Sequence, residues 1–183
     1  MDDGVLMIAR ATDFAARAHA DQRRKGEAAE PYVNHLAEVA RLVAEATQGG
    51  DPVLVAAALL HDSIEDVGVT AAQLEHAFGA DVARVVEEVT DDKTLTKAER
   101  KRRQVATVAK KSARARMLKL ADKTSNLRAI VGSPPDWPLE QQRAYVAWSR
   151  EVAAGCFGLN AHLDAVFTAA ADAADAALTG RPA

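Results

Sequence analysis

The chain has 183 residues, 49% of them apolar but only 4% aromatic, with 23 basic and 26 acidic side chains and one cysteine. That length can bury a core unaided, the single thiol rules out an internal disulfide, and a net charge of -3 argues against a general nucleic-acid binder. The longest apolar run, Val53 to Leu60, is far too short to span a bilayer, and the acidic start makes no signal peptide. A soluble, cytoplasmic protein is expected.

Much of the apolar share is alanine, which favours helices over strands. Val5, Ile8, Ala9, Thr12, Ala15, Ala16 and His19 recur at helical period and predict a first helix ending near Arg24. Lys25-Gly26 supplies its stop, and a loop runs to Pro31. A second helix is expected from Tyr32 to Ala46, broken by Gly49-Gly50. Asp51-Pro52 pairs an N-cap with proline at the first helical position and opens a third helix through His61. Thr70 with Gln73, and Thr96 with Glu99, have capping-box spacing and mark two further starts. Arg114 to Ile130 reads as a basic helix closed by Gly132-Ser133-Pro134-Pro135. Helices from Pro138 to Gly155 and Leu159 to Leu178 finish the chain. With no convincing strand, repeat or low-complexity linker, the expectation is one all-α domain over residues 1–183.

Charge is unevenly spread. Ten of the 23 basic residues lie between Lys97 and Lys119, with Glu99 the only acid among them. Such a cluster in a mildly acidic protein is either a solvated helix face or a surface for an anionic ligand.

The segment Leu59-Leu60-His61-Asp62-Ser63-Ile64-Glu65-Asp66 carries the most chemistry. An apolar helix runs into a His-Asp pair and then a Glu-Asp pair, and on a continuous helix His61 and Glu65, or Asp62 and Asp66, share a face. Four ionisable groups at the end of so apolar an element need a partner. A divalent cation is one answer, since imidazole and carboxylate suit manganese, iron or zinc. His35, in Pro31-Tyr32-Val33-Asn34-His35, reads alone as a capping or core histidine. Asp122, in Lys119-Leu120-Ala121-Asp122-Lys123, reads alone as an ion-pair partner of Lys119 or Lys123. Joined to His61 and Asp62 they give two imidazoles and two carboxylates from separate helices, enough to hold one metal and leave positions for water.

This His…His-Asp…Asp order resembles the HD superfamily of metal-dependent phosphohydrolases. A finer resemblance is to the hydrolase domain of RelA/SpoT proteins, and within them to the stand-alone small alarmone hydrolases, the branch of the metazoan SpoT homologue. It rests on Arg24-Lys25, Pro31 to His35, Ala57 to Asp62, Glu65-Asp66, Val89-Thr90-Asp91-Asp92-Lys93-Thr94 and Lys119 to Lys123 continued by Asn126-Leu127-Arg128. The resemblance runs from about residue 8 to beyond 150. It implies an HD-type helical bundle that uses Mn²⁺ to remove the 3′-pyrophosphate of guanosine tetra- or pentaphosphate (ppGpp, pppGpp), the alarmone of the stringent response. By the same resemblance His35, His61, Asp62 and Asp122 hold the metal, and Glu65 and Asp66 activate or position the attacking water. Arg24 and Lys25 would contact the nucleotide, the former by stacking, and Asn126 the ribose or phosphate. Lys97 and Tyr145 are further candidates at the substrate mouth.

Two departures from the long bifunctional relatives stand out. Ala129 occupies a position where those enzymes tend to carry threonine, and the loop Gly26 to Glu30 is longer. With no synthetase region after the hydrolase motifs, degradation without synthesis of the alarmone is expected. Competing expectations are an HD phosphohydrolase for another nucleotide such as NADPH, a non-catalytic alarmone-binding module, and, more remotely, an RNA binder using the basic helix. His19, His76 and His162 are expected in core or surface roles, Cys156 as a small buried hydrophobe, and Trp137 and Trp148 as packing for the C-terminal helices.

Overall fold

A computed structural model describes residues 3–180. Among them the chain forms ten α-helices: α1 (Asp3–Ala18), α2 (Val33–Ala46), α3 (Pro52–Leu60), α4 (Ser63–Val67), α5 (Ala71–Phe78), α6 (Ala80–Val89), α7 (Lys97–Thr107), α8 (Ala113–Gly132), α9 (Leu139–Ala154) and α10 (Ala161–Thr179). A short 3₁₀ turn, Val108–Lys110, joins α7 to α8. The only extended pairings among the described residues are two isolated bridges, Arg23 with Pro31 and Gly26 with Pro135.

The buried centre is α3, where every side chain from Leu54 to Leu60 is inaccessible. It packs against α1, α2 and α6, while α8 lies across α2, α6, α9 and α10. Each large aliphatic side chain buried there contributes roughly 1.5–3 kcal/mol. Helix α8 is buried nearly all round, yet half its ring is polar: Lys119, Asp122, Lys123, Thr124 and Ser125 are as inaccessible as Leu118, Leu120 and Leu127. One side of α8 therefore belongs to the core and the other to a site.

Helix starts follow their caps. Asp51 accepts from the Leu54 amide, Thr70 and Gln73 close a full capping box, and Thr96, Ser112 and Asn160 each accept from the third residue of their helix. The start of α6 escapes the sequence because Gly79, at φ 89°, caps it with no side chain.

Three expectations need correction. The buried face of α1 is formed by Gly4, Ala11 and Ala15, flanked by Met7, Ile8 and Phe14. Val5, Ala9, Thr12 and Ala16, assigned to its inner stripe, face outward. The same helix ends at Ala18, where His19 turns in under the site, and not near Arg24. Finally, His61 and Asp62 do not continue α3 into one helix with Glu65 and Asp66. The helix stops at Leu60, Asp62 adopts φ −98°, ψ 0°, and α4 starts afresh at Ser63. That break matters, since neighbours on an unbroken helix diverge by about 100°.

The loop between α1 and α2 is pinned at both ends by backbone bonds, Arg24 N–H to Glu30 O (2.9 Å) and Tyr32 N–H to Gln22 O (3.0 Å). Gly26 presses it onto the α8–α9 loop: a Cβ there would collide with the carbonyl and hydroxyl oxygens of Ser133. Close backbone approach of this kind is what requires glycine.

Candidate active site

Three places in the fold deliver the two histidines and two aspartates. His35 comes from the first turn of α2, His61 and Asp62 from the break between α3 and α4, and Asp122 from the middle of α8. Because the chain turns at residues 61–62, both adjacent side chains reach one point: His61 Nε2 lies 3.0 Å from Asp62 Oδ2. His35 Nε2 stands 3.7 Å from the same oxygen, and Asp122 Oδ1 is 3.5 Å from His35 Nε2 and 3.9 Å from His61 Nε2. One ligand atom each from His35, His61 and Asp62 lie within 4.8 Å of one another. Asp122 joins the group through its contacts to both imidazoles.

The hydrogen bonds around this cluster fix which ring nitrogens are free. His61 Nδ1 faces the Ala58 carbonyl at 2.8 Å, so it carries the proton of the neutral ring, and in that tautomer Nε2 keeps its lone pair. That Nε2 is buried and has no aligned hydrogen-bond partner, although a carboxylate oxygen is 3.0 Å away. A lone pair facing an acceptor oxygen in a buried place is what a bridging cation resolves. With no cation bound, a second proton takes that place: burial alone would depress the His61 pKa, but Asp62 and Asp122 outweigh it and push it up to about 9. Asp62 and Asp122, although buried, are held below the usual carboxylate range, the first by His61 and the second by Lys123. The pocket thus attracts positive charge at the ligand atoms, and its imidazole–carboxylate donors suit a divalent metal.

Side chains farther out hold the set in place. Tyr32 donates its hydroxyl to Asp62 Oδ2 (2.6 Å), Lys123 its ammonium to Asp122 Oδ2 (3.1 Å), and Asn126 its amide to Asp122 Oδ1 (2.6 Å). Arg24 in turn donates to Asn126 Oδ1 (3.1 Å) across 102 positions of sequence.

Beside the cluster, Glu65 and Asp66 take different surroundings. Glu65 is partly buried and accepts from the Asp91 amide (3.2 Å). Burial, then the charges of Asp91 and Asp62, raise its pKa. Asp66 is more open and is held by Gln22 (2.9 Å) and Lys93 (3.0 Å). His19, buried and stacked on Tyr32, aligns Gln22 through a 2.5 Å contact.

Of the cluster, His35 lines a cleft of about 790 Å³, together with Glu65 and Asp66, and that space is large enough for a nucleotide. Arg24, Lys25, Lys97, Asn126 and Tyr145 all line it. Trp137 and Trp148, expected to pack the C-terminal helices, also line it and with Tyr145 form an aromatic wall. Lys97 lies over Trp137 (5.8 Å), and Lys101 and Lys123 lie over Trp148 (4.7 and 4.4 Å). The basic run therefore divides. Lys97, Arg100 and Lys101 face the cleft, whereas Arg114 pairs with Asp51, Arg116 binds the Gly155 carbonyl and Lys119 that of Val89. His76 and His162 are exposed, and burial pushes the Cys156 thiol up to about 11, too high for a nucleophile at neutral pH.

No described helix is long and apolar enough to cross a membrane. A model of the HD-domain family matches residues 11–153. The chain is 44% identical over 165 residues to the guanosine-3′,5′-bis(diphosphate) 3′-pyrophosphohydrolase MESH1 of Homo sapiens, covering 90% of this chain and 92% of the relative. It is 43% identical over 152 residues to the enzyme of the same name from Drosophila melanogaster, covering 82% and 85%. Among solved structures it superimposes with a TM-score of 0.86 and 39% identity on a metazoan orthologue of SpoT described as hydrolysing ppGpp. That match covers 90% of this chain and 93% of the other. A Listeria monocytogenes protein matches with a TM-score of 0.65 at 29% identity, over 79% and 99% of the two chains.

Proposed function

The chain belongs to the HD-domain family, within the group of its 3′-pyrophosphohydrolase relatives, and from that premise we infer that it is itself a guanosine-3′,5′-bis(diphosphate) 3′-pyrophosphohydrolase. Its products are GDP or GTP and pyrophosphate. The observation that carries the reading is the intact two-histidine, two-aspartate cluster, whose His35 lines a cationic, aromatic cleft together with partly buried Glu65.

We assign His35, His61, Asp62 and Asp122 as the ligands of one divalent cation, and manganese as that ion, because mixed imidazole and carboxylate donors suit a borderline-hard metal. Bound there, the cation supplies the charge that acidifies water and offsets negative charge on the phosphoryl group under attack. Glu65 is the general base: its raised pKa, caused by burial, makes it a stronger proton acceptor than an ordinary carboxylate. Asp66, steadied by Gln22 and Lys93, orients the water. Water's oxygen ends on the released pyrophosphate, one of its protons passes to Glu65, and the ribose 3′ oxygen leaves as a hydroxyl by taking up a proton from solvent.

Arg24, Lys25, Lys97 and Asn126 receive the anionic nucleotide, and the Trp137–Tyr145–Trp148 wall offers flat faces to its base or ribose. A cytoplasmic setting fits the reduced, buried Cys156. Release of pyrophosphate from ppGpp and pppGpp, and of inorganic phosphate from NADPH, each measured with Mn²⁺, tests the reading. Release from the guanosine compounds is expected; turnover of NADPH alone, or binding of ppGpp without turnover, would replace it.

A further inference from the structure

His61 and His35 present Nε2 to the same point, but they are oriented by different means. For His61 the orienting group is a backbone carbonyl, which side-chain chemistry cannot alter. For His35 it is a chain of side chains. His35 Nδ1 lies 2.9 Å from Ser125 Oγ, Ser125 Oγ lies 2.7 Å from Glu38 Oε2, and the other Glu38 oxygen accepts from Arg128 at 2.8 Å. His35 and Ser125 are 90 positions apart, on α2 and α8.

The direction of the protons along this chain follows from its end. A carboxylate ion-paired to a guanidinium only accepts, so the single hydroxyl proton of Ser125 must point at Glu38. The serine oxygen is then left with lone pairs alone for His35, and His35 Nδ1 must be the protonated nitrogen. Its Nε2 is thereby held as a lone pair aimed at Asp62 and Asp122. Without Glu38 the hydroxyl is free to turn its proton toward Nδ1. That would leave Nε2 protonated and unable to bind a metal.

We propose that Ser125 and Glu38 are positioning residues that set the tautomer of His35 for metal binding, so that a half-buried carboxylate outside the ligand set controls the affinity of the centre. This rests on the metal reading above. Loss of such outer partners costs about 10–100-fold in metal affinity in comparable sites.

The test is the Mn²⁺ dissociation constant of the metal-stripped protein, by calorimetry or by the electron-spin resonance of free Mn²⁺, with the apo melting temperature recorded alongside. Ser125→Ala and Glu38→Ala are expected to weaken Mn²⁺ binding by roughly 10–100-fold. Ser125→Thr, which keeps the hydroxyl, should bind within a few-fold of the parent chain. Glu38 is half-buried on a helix where alanine is well tolerated, so that variant stays informative even if Ser125→Ala folds poorly. In the Zn²⁺-loaded protein, ¹⁵N spectra should show His35 protonated at Nδ1. Unchanged Mn²⁺ affinity in both alanine variants would overturn the inference and leave the metal centre standing. A parent chain that binds no divalent cation would instead remove the metal reading itself.

Discussion

Replacing Lys123 by methionine keeps most of the side chain's volume and deletes its charge. Lys123 is 4% exposed, sits 3.1 Å from Asp122 Oδ2 and lies 4.4 Å from the centroid of the Trp148 ring. Burial alone would favour the neutral amine, but the Asp122 charge overrides it and raises the lysine pKa. Removing one member of a buried pair costs about 3–5 kcal/mol, because the other charge stays buried. Asn126 and the imidazoles still face Asp122, so the lower end, about 3 kcal/mol, applies here. For a chain of this size that is a fall of roughly 6–12 °C in melting temperature. A cation bound at Asp122 supplies the missing charge, so saturating Mn²⁺ should narrow the gap between Lys123→Met and the parent chain. Scanning calorimetry with and without a chelator measures both. A loss under about 1 kcal/mol, or a gap indifferent to Mn²⁺, would refute the view that Lys123 serves to balance Asp122.

Other outcomes follow from the same geometry. Glu65→Gln should lower kcat by about 10²–10⁴-fold while the Mn²⁺ dissociation constant stays near that of the parent chain, and parallel loss of both would contradict its role as base. The acid limb of the kcat profile should lie at higher pH than an unperturbed glutamate would give, since activity is lost as falling pH protonates Glu65 at its raised pKa. Asp91→Asn removes one of the charges that raise it, next after burial, so the limb should move to lower pH. The sign for stability is opposite: a raised carboxylate pKa makes ionisation unfavourable to the fold. Glu65→Gln should therefore raise the melting temperature near neutral pH and not at pH 4, as parallel thermal scans would show. Gly26→Ala should raise KM several-fold with little change in kcat, by pushing the Arg24–Lys25 loop off Ser133.

Legibility in the sequence tracked how local the cause was. The helices opened by Asp51, Thr70 and Thr96 could be read because the cap and its amide partner are three residues apart, whereas Gly79 opens α6 with no side chain to read. The expected α1 stripe mixed the two faces, with Ile8, Ala15 and His19 inside and Val5, Ala9, Thr12 and Ala16 outside, because small residues stand on both. The His61-Asp62 pair stood out as chemistry, but the break in the helix that converges the two side chains did not. Asn126 could be placed next to Asp122 by helical spacing alone. Lys123 could likewise be read as an ion-pair partner of Asp122, its neighbour in sequence. Tyr32, Ser125, Glu38 and Gln22 gave no such signal as supports of the cluster, because their key partners lie 30 to 90 positions away. Trp148 packs against the core as expected but also lines the cleft, a second contact that its sequence context does not reveal.

The central claim is a metal-dependent 3′-pyrophosphohydrolase centred on His35, His61, Asp62 and Asp122. It is tested most directly by assaying pyrophosphate release from ppGpp by the metal-stripped protein, before and after Mn²⁺ is restored, beside His61→Ala. The account predicts no release from the stripped protein, full recovery with Mn²⁺, and none from His61→Ala at any Mn²⁺ concentration. Turnover that survives stripping, or that His61→Ala retains, would contradict it.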